Sequence, residues 1–237
     1  VTADPAAVLD AVAFTANGIL VVAGLAFTLY ATQNYSLDRL EGHQDFWAYL
    51  TYLGLAVALV GVFGVAAVTA GGRVVRAFGD LSLLFAIAFV AFSMREVYYA
   101  SALAPPPEER DVSLPTLRAV EFGFVVVVAI EWLVVVLLGE TTVTVVLRGL
   151  GALAFAAYGI AFSERLEALA HGTTVDTLRR HLVFVLVAAT GVAVSGLLGL
   201  LLPGAVGESV RYVFLVLLGG LLVPPTIHLQ QSVASIT

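Results

Sequence analysis

The chain has 237 residues, 60% hydrophobic and 12% charged, with mean hydropathy +1.02. Soluble domains carry about 25% charged residues, so the composition excludes a soluble globular protein and points to a polytopic membrane protein. The 11 basic residues are all arginine, there is no lysine and no cysteine, and the net charge is −6, which excludes disulfides, thiolate metal sites and thiol nucleophiles.

The apolar runs are continuous and about 20 residues long, the length a bilayer demands of a helix. A β-barrel would show short alternating segments instead. Seven spans are predicted. They are Val8–Ala31, Phe46–Thr69, Ala77–Leu103, Leu117–Leu138, Thr142–Ser163, Leu182–Leu202 and Ser209–Leu229. The chain opens on the acidic "VTADPAAVLD", whereas a signal peptide opens basic. The first run is therefore expected to stay as a helix. "QNYSLDRLEGHQD" reads as a polar loop and "TAGGR" as a glycine break. The prolines of "APPPEERDVSLP" stop a helix, and "GETT" is a tight turn. "SERLEALAHGTTVDTLRRH" is long and amphipathic, as an interfacial helix would be. "PGAVGE" is a Pro/Gly turn. Val-rich runs such as "FVVVVAI" favour strand by propensity, but lipid demands internal backbone pairing, so helix is expected.

Orientation follows the arginines. With the N-terminus outside, cytoplasmic segments hold Arg39, Arg110, Arg118, Arg165, Arg179 and Arg180, against Arg73, Arg76 and Arg211 outside. This favours N-out, C-in.

An internal repeat is predicted within one heptahelical domain spanning 1–237. "LAFTLY" (Leu25–Tyr30) echoes "LAFAAY" (Leu153–Tyr158), and "LDRLEGH" echoes "SERLEALAH". "VVRAF" echoes "SVRYVF" in the same order. The halves would be 8–103 and 142–229, parallel, with helix 117–138 as linker. This three-one-three plan resembles, in architecture, that of the SWEET sugar facilitators and the microbial rhodopsins. The rhodopsins attach retinal through a lysine of the seventh helix, so the absence of lysine excludes a retinal Schiff base. SWEETs carry prolines within each bundle, and the first three spans here carry none.

Charges at bilayer depth cost about 2.5–3.5 kcal/mol each on insertion scales. Asp80, Arg95, Glu96, Glu121, Glu131 and Arg148 fall there. Arg95 and Glu121 lie symmetrically about Glu108 in the proline-rich turn, hence at equal depth on adjoining helices. Glu131 and Arg148 lie symmetrically about the Gly139–Glu140 turn. Each couple is expected to form an ion pair. Glu96 sits about 100° around the helix from Arg95. It is expected to snorkel toward Tyr98 and Tyr99, read as aromatic-belt residues, or to titrate in a cavity. Asp80 reads as a first-turn carboxylate favoured by the helix dipole.

The histidines do not cluster along the chain. His43 and His171 occupy matching loops, His181 a helix entry, and His228 the inner end of the last span. Each reads as interfacial. Pro224–Pro225 is expected to end that span near the interface, although such a break can also form a hinge.

No catalytic constellation is present, so no enzyme is expected, and no cofactor or metal. Without a basic stripe, no nucleic-acid partner is expected. The bilayer is the evident partner. A small solute or ion, a second copy, or a cytoplasmic partner protein are the others. The expected location is a plasma membrane of archaeal-halophile type, from the acidic, lysine-free composition. The sequence favours a small-solute or ion carrier with a pathway between two three-helix bundles and Arg95, Glu121, Glu131 and Arg148 at or near it. The alternative is an opsin-like sensory or scaffold protein.

Overall fold

The computed structural model describes residues 5–37, 44–100, 106, 112–170, 174–202 and 204–234. Arg39, His43, Glu108, Arg110, His171 and the predicted end of the third span at Leu103 lie outside them. Among the described residues there are helices and no strand. They are α1 (Pro5–Leu37), α2 (Gln44–Thr69), α3 (Arg73–Ala100), α4 (Leu114–Leu138), α5 (Thr142–Ala170), α6 (Thr174–Leu201), α7 (Gly204–Leu221) and α8 (Val223–Ala234). Among the described residues, seven spans are long and apolar enough to cross a membrane, the last made of α7 and α8 together.

Several boundaries differ from those predicted. α1 runs on to Leu37, where Asn34 donates to Leu229 O at 3.0 Å and ties α1 to α8. The predicted interfacial helix does not form. Its residues extend α5 to Ala170 and begin α6 at Thr174. Arg179 locks the two extensions by donating to Asp176 at 2.7 Å and to Ser163 Oγ at 2.8 Å. Pro224–Pro225 does not end the last span. The helix breaks at Leu222 and resumes, with Leu222 N reaching Leu218 O and Thr226 N reaching Leu222 O. Two prolines remove two donors, so the helix is interrupted there and continues as α8.

The turns follow their residue chemistry. Gly71 and Gly72 adopt φ of 68° and 104° between α2 and α3, a region that disfavours side chains. Ser113 caps α4 by accepting from Thr116 N. Thr141 and Thr144 cap α5 reciprocally.

The helices α1, α2, α3, α5, α6 and α7 form a closed ring, with α3 also touching α6. The linker α4 stands outside, packed on α3 and α5. Accordingly α3 is the most enclosed span and α4 the least. Lipid tails are as apolar as leucine, so close backbone approach must hold the helices together. The α1–α2 contact shows it. A Cβ on Gly24 would meet Ala58 N at 2.5 Å and Gly54 O at 2.7 Å.

Gly24→Ala should therefore cost about 1–3 kcal/mol, typical of overpacking. Gly18→Ala meets nothing within 4 Å and should be neutral or slightly stabilising. Thermal denaturation of both variants in one detergent checks the contrast. Equal midpoints would mean that α1 and α2 are not in backbone contact.

Candidate functional site

Two charge clusters and one cavity occupy the ring. We call the end bearing the α2–α3, α4–α5 and α6–α7 turns the N-terminal face, and the opposite end the C-terminal face.

The first cluster lies toward the C-terminal face. Arg95 is 0% exposed. Its Nη1 donates to Glu121 Oε2 at 2.6 Å, and its Nη2 to Glu96 Oε2 at 2.9 Å. Tyr49 and Phe92 present their rings 5.8 Å from the guanidinium carbon, within cation–π range. Tyr158 donates to Glu121 Oε1 at 2.7 Å. Arg118 reaches Glu96 at 3.5 Å and Asp45 at 3.1 Å. Four helices, α2 to α5, thus share one network. Glu96 does not snorkel. It is buried and bound on one oxygen by its neighbour Arg95, because the long guanidinium arm spans the angular offset along α3. Nor are Tyr98 and Tyr99 belt residues. Both are buried against Phe162, and Tyr99 donates to Val112 O.

The second cluster lies toward the N-terminal face. Arg148 donates to Asp80 Oδ2 at 2.5 Å and to Glu140 Oε1 at 2.8 Å. Arg211 donates to Asp80 Oδ1 at 3.1 Å. Glu131 lies 3.7 Å from Arg148, and its Oε1 makes no hydrogen bond. The couple predicted about the tight turn is thus one edge of a five-residue network, and its weakest. Asp80 is not a first-turn carboxylate. α3 begins at Arg73, two turns earlier, and Asp80 instead joins α3 to α5 and α7.

His228 meets His181, with ring centroids 5.8 Å apart. The two lie symmetrically about the α6–α7 turn, as Arg95 and Glu121 do about theirs, so the antiparallel hairpin brings them to equal depth, a pairing not drawn from the sequence. Among the described residues, no three His, Asp or Glu converge as a metal site.

A cavity of about 560 Å³ opens at the N-terminal face between α1–α3 and α5–α7. Asp10, Arg76, Glu140, Glu208 and Arg211 stand among its lining residues. Asn17, Val60, Ser195 and Leu215 also line it. Val60 lies ~14 Å along α2 from Thr69, hence within ~6 Å of the middle of that helix. Glycines form part of the wall. Gly64, Gly79, Gly196, Gly199 and Gly207 line it; a Cβ on Gly199 would meet nothing within 4 Å, whereas one on Gly64 would overlap Asn17. Arg211 and Glu140 belong both to this wall and to the second cluster. The sequence favours a pathway between the two three-helix bundles, where this cavity lies, with Arg95, Glu121, Glu131 and Arg148 at or near it; none of the four is among its lining residues. The lining itself was not read, and its sequence trace is the glycine spacing at 196, 199 and 207, taken partly as a turn.

The fold and composition establish the class, a seven-helix multi-pass membrane protein. No protein-family model, curated protein or solved structure matches the chain.

Proposed function

We propose that the protein is a carrier of a small polar solute or ion, with its binding site in the cavity between α1–α3 and α5–α7. The observation that carries this reading is a polar cavity open at one face and reaching nearly to the midplane. Beyond its floor, toward the other face, the Arg95 network and the Phe92, Phe155 and Phe162 rings fill the interior. An access path at one face and a closed half at the other is what one state of an alternating-access carrier requires. The closed half is held by ion pairs and hydrogen bonds, which can exchange partners.

An internal repeat, as we infer it from the sequence, would fit this reading. Leu25 and Leu153 are both exposed, Phe27 and Phe155 both buried, and Tyr30 and Tyr158 both half-buried. The two motifs thus present the same sides of α1 and α5. The arginine bias makes the open face the external one.

The test uses the cysteine-free chain. Ser195→Cys, in the cavity wall about 9 Å in from the end of α6, should react with a membrane-impermeant thiol reagent in right-side-out vesicles and also in inside-out vesicles. A carrier must expose its site to each side in turn. Reaction from the N-terminal face alone would overturn the carrier and favour a receptor. Gly199→Leu, which fills open space, should slow labelling at least tenfold without loss of thermal stability.

A further inference from the structure

We propose that the cavity binds a small organic cation bearing a protonated amine, a solute class that deepens the carrier reading and rests on it. Five charged side chains line the cavity, Asp10, Glu140 and Glu208 against Arg76 and Arg211. Two are already engaged. Arg211 donates to Asp80, and Glu140 accepts from Arg148. Asp10, Glu208 and Arg76 form no ion pair among the described residues. Two free carboxylates against one free arginine leave the mouth with a negative excess. Asp10 and Glu208 line this mouth together with Tyr212. A cleft of one sign with low-dielectric walls concentrates ions of the other sign.

The wall is selective in a second way. Asn17 is 5% exposed and lines the cavity beside Gly64. Its Nδ2 donates to Ala13 O at 2.7 Å, which leaves Oδ1 as an acceptor. Ser195 spends its hydroxyl hydrogen on Val192 O at 2.6 Å, which leaves lone pairs for the cavity. Ammonium N–H groups supply donors at this depth, whereas a carboxylate or phosphate would set acceptor against acceptor. The apolar Val60, Phe63 and Leu215 beside them suit a carbon skeleton rather than a bare hydrated ion. The volume falls in the range of small-molecule sites, about 300–1,000 Å³.

The experiment measures labelling of purified Ser195→Cys by aminoethyl methanethiosulfonate, a cation, and sulfonatoethyl methanethiosulfonate, an anion. Thr142→Cys, exposed at the start of α5, is the reference for intrinsic reactivity. The cation-to-anion rate ratio should be about tenfold higher at Ser195→Cys than at the reference. Asp10→Asn with Glu208→Gln should return it to the reference value. At constant ionic strength, ethanolamine hydrochloride should protect Ser195→Cys, while sodium chloride and sodium acetate should not. An equal ratio at both positions, or protection by acetate and not by ethanolamine, overturns the proposal. Failure of the carrier reading has a different signature, which is labelling from one membrane face only.

Discussion

Replacing Arg95 with leucine should destabilise the protein by about 3–5 kcal/mol, the usual effect of removing one partner of a buried ion pair. Arg95 is wholly buried and is the direct cation for both Glu96 and Glu121. Its loss strands Glu121 with only the Tyr158 hydroxyl as donor. Glu96 keeps Arg118, at a longer 3.5 Å. Adding Glu121→Leu to Arg95→Leu should therefore recover much of the loss, because two buried charges then vanish together. Tyr158→Phe alone should cost about 1 kcal/mol, the net worth of an ordinary hydrogen bond. In a Glu121→Leu background it should cost almost nothing, as a double-mutant cycle demands of contacting groups. Thermal denaturation in one detergent reads all of these. An Arg95→Leu variant as stable as the parent would show that Glu96 and Glu121 do not depend on the guanidinium.

That network also shows what a sequence can carry. Symmetric spacing about a turn gives depth, and depth suffices when two consecutive helices pack side by side, as α3 and α4 do at Arg95 and Glu121. The seven spans were legible for a related reason, since bilayer thickness fixes the length of an apolar run. Lateral neighbours are another matter. No spacing rule tells that α4 stands outside the ring and that α3 touches α5. Asp80 therefore meets Arg148 and Arg211, 68 and 131 residues away. Helix ends were misjudged where polar residues pair within the fold, as Asn34 and Arg179 do, because composition alone assigns such residues to loops. A pathway between the bundles was legible as an expectation, but its lining was not, because which helix faces meet there depends on lateral packing and on glycines that carry no charge to read.

Exchange at Asp80 tests the second network and its tie to the cavity. Each carboxylate oxygen of Asp80 takes one arginine, Arg148 at 2.5 Å and Arg211 at 3.1 Å. Hydrogen bonds to charged groups contribute about 1.5–3 kcal/mol each, so Asp80→Asn should cost roughly 2–4 kcal/mol. Glu131 lies farther from Arg148, at 3.7 Å, and its Oε1 has no hydrogen bond. Glu131→Gln should then change stability by less than about 1 kcal/mol, since no hydrogen bond is lost. Arg148→Leu, which removes one cation shared by three carboxylates and leaves only Asp80 with another among the described residues, Arg211, should be the most damaging change in this cluster. Asp80→Asn has a further consequence, because Arg211 lines the cavity. Released from Asp80, its charge is no longer neutralised within the wall and offsets the free carboxylates Asp10 and Glu208. The preference of Ser195→Cys for the cationic reagent should fall by several fold in Asp80→Asn and stay unchanged in Glu131→Gln. If Glu131→Gln proves the costlier of the two, the pair about the tight turn, and not Asp80, holds Arg148. If stability falls in Asp80→Asn but the reagent preference does not move, Arg211 does not contribute its charge to the cavity.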